Sequence, residues 1–267
     1  MGNCRGGTLW PPVVEYFIRT AGWRPTYVGI ALFCAATMIP LALLLRKRPP
    51  ASDGIATGVP VQRRTAQALG LSTNALQTLL VIAGVACCVA MSMPQVHLVA
   101  YCSDLGYGPA RGAQMLSLML ACGIVSRLVF GTICDRIGGL RTLLLGSLLQ
   151  GVALLLFLPF DGLVSLFVIS ALFGLFQGGI VPSYAIIVRE YFDRSQAGAR
   201  VSLVITATLF GMALGGWMSG AIFDATGTYR AAFLNGIAWN ALNVSIAAWL
   251  LRRSMGMRGF AARPVVR

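Results

Sequence analysis

The sequence has 267 residues, 57% of them hydrophobic and 11% charged, with a mean hydropathy of +0.77. Soluble domains carry about 25% charged residues, so a soluble fold is excluded. The net charge is +13, but the bases sit at the ends of apolar runs and form no patch on a polar fold, which argues for a bilayer and against nucleic acid as partner. Most of the seven cysteines lie inside apolar stretches without metal-ligand or disulfide spacing, so they read as small apolar fillers. Met1–Gly7 is polar and does not resemble a secretory signal.

In chain order, the first apolar piece is Gly6–Ile18, interrupted by Pro11, Pro12 and Glu15. At about 1.5 Å per residue it reaches about 20 Å, against a hydrocarbon core of about 30 Å. It reads as the outer end of a helix whose beginning is missing. Seven longer runs follow: Pro25–Leu45, a stretch within Thr65–Ser103, Gly112–Cys134, Thr142–Phe160, Gly162–Val188, Val201–Phe223 and Ala231–Leu251. Each is apolar on both parities, which fits spanning helices and not the alternating strands of a barrel. The Pro- and Gly-containing basic stretch Arg46–Ala68 reads as a linker between two groups of helices. If the C-terminal tail lies inside, fifteen bases fall in inner segments and four in outer ones. This asymmetry predicts an inside C-terminus, in an inner membrane.

An internal repeat is present. Gly131, Asp135, Gly138 and Arg141 stand in the same spacing as Gly220, Asp224, Gly227 and Arg230, 89 residues later. That offset is three helices, an odd number, so the two copies face opposite sides of the membrane. Inverted three-helix repeats are a transporter architecture.

The stretch Gly131–Arg141, with Asp135, Arg136 and Gly138, resembles the loop signature of the major facilitator superfamily. Gly216–Arg230, Gly174–Pro182 and Tyr191–Gly198 add to the resemblance, which covers about residues 6–252 and points to the monocarboxylate-transporter-like and oxalate/formate-antiporter-like branch. It implies an all-α integral membrane fold lacking the first four of twelve helices. Residues 1–45 would be the remnant of the N-terminal bundle (the end of helix 5, and helix 6). Residues 46–75 would be the inner basic linker, 76–252 the C-terminal six-helix transport bundle and 253–267 the inner basic tail. Gly139 and Leu140 depart from the family pattern, standing where many members have basic residues.

Arg127, His97 and Gln177 are the candidate substrate-binding residues. Arg127 is a full charge well inside a helix, which costs about 2.5–3.5 kcal/mol on insertion scales. It reads either as a bidentate carboxylate anchor or as an arginine that snorkels to the inner interface. The resemblance places an arginine at this position, four residues before Gly131. It also implies an acid one turn before the arginine, where this chain has Gly123. His97, the one histidine, reads as a proton-linked or gating group, or as a packing residue. Gln177, with Asn235, Asn240 and Asn243, suits interhelical hydrogen bonding. Gly131, Asp135, Arg136, Gly138 and Arg141 read as a conformational latch or as a solvated connector, with Gly220, Asp224, Gly227 and Arg230 as its inverted counterpart. Gly211, Gly215, Gly216 and Gly220 have the small-x-x-x-small spacing of close helix packing.

Nucleotide-binding, zinc-protease and serine-hydrolase motifs are absent from the sequence, and no two acids share a spanning run, so no enzyme, cofactor or metal site is expected. The expected function is secondary active transport of a small organic anion, a monocarboxylate-type solute, by alternating access. The partners would be that solute, the bilayer, and a proton or counter-anion. A truncated, non-transporting membrane fragment and a receptor or assembly subunit are the alternatives.

Overall fold

The computed structural model describes residues 2–44 and 69–261, and among these it is helical, without a strand. The helices are α1 (Gly2–Ala21), α2 (Trp23–Leu44), α3 (Thr73–Asp104), α4 (Pro109–Ile137), α5 (Gly139–Leu156), α6 (Leu163–Gln177), α7 (Ile180–Tyr191), α8 (Arg194–Thr226) and α9 (Tyr229–Ala261). Seven segments are long and apolar enough to cross a membrane, one of them formed by α6 and α7 together. Their number and order match the sequence reading.

Local signals set the ends. Ser72 caps α3, its side chain accepting the Ala75 N–H at 3.2 Å. Pro109, whose missing N–H costs nothing at a first turn, opens α4. Gly138 ends α4 at φ +84° and Gly227 ends α8 at φ +66°, a left-handed backbone that favours glycine. Both copies of the repeat thus end a helix on a positive-φ glycine, with ψ 163° at Gly138 and 12° at Gly227.

Three elements have bounds that differ from those read in the sequence. The first helix runs Gly2–Ala21, 20 residues, beyond the apolar run Gly6–Ile18. Backbone bonding carries a helix through polar positions, here with Glu15 and Arg19 paired at 3.7 Å one turn apart. The expected span Gly162–Val188 is present as one membrane-length segment, Leu163–Tyr191, made of two helices with a turn at Gly178 and Gly179 between them. The final helix continues to Ala261, past the expected bundle boundary at residue 252. Most of the linker 46–75, with Arg46, Lys47, Arg48, Arg63 and Arg64, and the tail bases Arg263 and Arg267 lie outside the described residues.

Two seams bring backbones together. On the first, α8 lies along α3, where a Cβ on Gly211 would stand 2.6 Å from the Val85 carbonyl oxygen and one on Gly215 2.6 Å from that of Val89. On the second, α6 lies along α4, where a Cβ on Gly174 would run into the Met119 carbonyl. Helices in lipid associate by such close packing. Helix α9 closes on α3 and α5, and α1 lies along α4, carrying α2 with it. The interior holds Leu80, Met115, Met119, Phe173, Tyr184 and Phe233, while Val164, Trp217 and Leu234 are exposed on the outside. An apolar exterior around an apolar core is what lipid solvation requires.

Candidate functional site

A cavity of about 560 Å³ opens between α3, α4, the α6–α7 break and α8. Its polar groups are few: Gln95 from α3, Arg127 from α4, Gln177 at the end of α6 and Thr208 from α8. Among the described residues lining it, Arg127 is the one that carries a charge. Met91, Leu120, Val181 and Leu209 supply apolar wall. Such a lining, apolar with a few convergent polar groups, is the usual character of a small-molecule site. Gly123 and Arg127 lie one turn apart on α4 and both face the cavity. Arg127 is exposed on its open side, whereas Gln177 is buried. Gln95 Nε2 donates to Gln177 Oε1 at 2.9 Å. The Thr208 hydroxyl donates to the Ile205 carbonyl at 2.7 Å within its own helix.

The turn between α6 and α7 is packed closely against its neighbours. A Cβ on Gly178 would fall 2.6 Å from the Gly123 carbonyl oxygen, and one on Gly179 would run into the Phe130 side chain. Pro182 has no N–H to return to the Gly178 carbonyl. Gln177, Gly178, Val181 and Pro182 all line the cavity, so the interrupted helix lies at its wall. Discontinuous helices stand at the solute sites of many transporters.

The structure brings Arg127 and Gln177 to one cavity but not His97. The His97 ring lies on the other side of α3, donating Nε2–H to the Gly216 carbonyl at 2.9 Å, with Tyr229 6.2 Å away. Gly220 is beside that ring, 3.6 Å separating its Cβ position from His97 Cε1.

Asp135, Arg136, Gly138 and Arg141 line a second, more polar cleft of about 470 Å³ with Glu190 and Ser254. Gly131 lies just before it on α4, with open space where a side chain would be. The inverted copy sits at the C-terminal end of α8, where Asp224 and Arg230 are exposed and Gly227 N–H returns to the Phe223 carbonyl at 2.7 Å.

Two residues in these places were not singled out by sequence. Glu190 Oε1 accepts the Gly139 N–H at 3.1 Å and so caps the start of α5. Gln95 looked like one more polar residue after Pro94, and the fact that both it and Gln177 are glutamines within spanning runs was the available signal.

Comparison with known proteins adds to this geometry. The family model of the Major Facilitator Superfamily matches residues 1–165 and 113–262. Monocarboxylate transporter 13 of Rattus norvegicus is 32% identical over 53% of this chain and 34% of its own length. Monocarboxylate transporter 12-B of Danio rerio is 25% identical over 89% of the chain and 56% of its own. The MFS-type transporter pynF of Aspergillus niger is 21% identical over 84% and 50%. The chain therefore spans between a third and just over half of the length of these relatives.

Proposed function

The chain belongs to the major facilitator superfamily, and from that premise we propose that it supplies the transport bundle of a secondary carrier for small organic anions of the monocarboxylate type. The observation that carries this reading is Arg127 at the wall of the cavity, among lining residues that are otherwise uncharged. A guanidinium presents a planar fork of donors that matches a carboxylate. The α6–α7 break supports the same reading by placing an interrupted helix beside the charge. Monocarboxylate transporters among the relatives support the substrate class. The bundle would rock between two openings with the solute held at Arg127, driven by a proton or a counter-anion, with the C-terminus inside the inner membrane. The cleft at Asp135, Arg136 and Arg141 would act as a latch that closes in one of the two states.

The test is uptake of radiolabelled carboxylates into vesicles carrying the chain, alone and with the first five helices of a relative supplied. Arg127→Ala should abolish uptake at normal membrane levels. Arg127→Lys should retain less than about a tenth, because an ammonium keeps the charge and loses the fork. Lysine carrying solute at the wild-type rate with unchanged affinity would defeat the carboxylate anchor.

A further inference from the structure

Arg127 accounts for the charge of the cavity, but most of its neutral polarity comes from one amide pair. Helix α3 packs on α4, α8 and α9, whereas α6 packs on α4 and α5. The Gln95–Gln177 bond at 2.9 Å thus joins, at the wall of the cavity, helices that have largely separate neighbours. It also fixes both amides. With Gln177 Oε1 engaged, Nε2 keeps two donors; with Gln95 Nε2 engaged, Oε1 keeps its acceptor capacity. Among the described residues no further hydrogen bond takes up these atoms. Gln177 is 5% exposed and both residues line the cavity. What enters the cavity is therefore the natural partner for the remaining donors and acceptor.

A site built to hydrogen-bond a polar group discriminates against an analogue that lacks it, because its own polar groups are then left unmatched. We propose that Gln95 is a specificity-determining residue: together with Gln177 it reads a neutral hydrogen-bonding group, a hydroxyl or an amide, that the solute carries in addition to the carboxylate held by Arg127. This inference rests on the anion reading above. It separates two kinds of carboxylate, those with a second polar group and those with a bare alkyl body. A purely structural amide bridge would raise stability without affecting that preference.

The experiment uses the purified chain in lipid nanodiscs and reads the rise in melting temperature against solute concentration. The probes are a short hydroxycarboxylate and the alkyl carboxylate of the same length. In the unaltered chain, half-maximal stabilisation by the hydroxycarboxylate should come at about a tenfold lower concentration. In Gln95→Leu that preference should shrink to within about twofold. If Gln95→Leu does not fold, Gln95→Asn is read in the same way, since its shorter arm cannot span the bond to Gln177. Equal response to both solutes in the unaltered chain, or a preference that survives the substitution, would overturn the inference and leave the anion reading standing. No stabilisation by either carboxylate would overturn the anion reading, and the inference with it.

Discussion

Tyr184→Phe removes a single hydroxyl from the middle of the bundle. That hydroxyl donates to Asn243 Oδ1 at 2.8 Å, and Asn243 Nδ2 donates in turn to Ser147 Oγ at 2.7 Å. The three side chains are fully buried and belong to α7, α9 and α5, so the chain of bonds joins the second half of the broken helix to two neighbours. A hydrogen bond between membrane helices contributes about 0.6 kcal/mol on average and about 1.7 at most. A buried acceptor left without a donor costs about 1–3 kcal/mol. Asn243 Oδ1 would be such an acceptor, so Tyr184→Phe should destabilise the chain by about 1–3 kcal/mol. Asn243→Leu strands the Tyr184 hydroxyl and deprives Ser147 of its donor, so it should cost more. The double variant leaves neither end of the Tyr184–Asn243 bond stranded, and its loss should fall short of the sum by about 1 kcal/mol. The assay is equilibrium unfolding of the purified chain in mixed micelles, over both single variants and the double. Additivity within about 0.3 kcal/mol would refute the coupling and with it the reasoning that the bond matters.

Other outcomes follow from the same geometry. Gly174→Ala forces a methyl group into the Met119 carbonyl and should cost about 1–3 kcal/mol in melting experiments, whereas Gly131→Ala, with nothing within 4 Å, should change stability by less than about 0.5. Cys102 and Cys134 are buried, so topology is better read from Ser103→Cys and Arg136→Cys in a cysteine-free background. An impermeant maleimide added to intact cells should label residue 103 and spare residue 136, and the reverse pattern would invert the proposed orientation. Asp135→Asn, measured as vesicle uptake, should slow turnover while leaving apparent affinity within about threefold, because the cleft it lines is separate from the Arg127 cavity; unchanged turnover would make the loop a connector only.

The spans were legible because apolar length is a local property: a bilayer core of fixed thickness selects about 20 consecutive apolar residues whatever the neighbouring helices do. The repeat was legible for a similar reason, since Gly138 and Gly227 each end a helix at a positive φ that glycine adopts without strain. Arg127 stood out because a charge inside a spanning run needs a reason, and none of that depends on packing. Packing alone decided the rest. Gly162–Val188 is one uninterrupted apolar run in sequence, and only the fold sets Gly178 and Gly179 against the Gly123 carbonyl and Phe130 of another helix. Gln95 and Gln177 are 82 residues apart and become partners because α3 and α6 face one cavity. His97 and Arg127 both looked like site residues, yet His97 turns to the Gly216 carbonyl on α8 and leaves the cavity to the two glutamines. Hydropathy fixes how deep a residue lies in the membrane, but its azimuth around the helix, and so its partner, is set by which backbones can come close enough to touch.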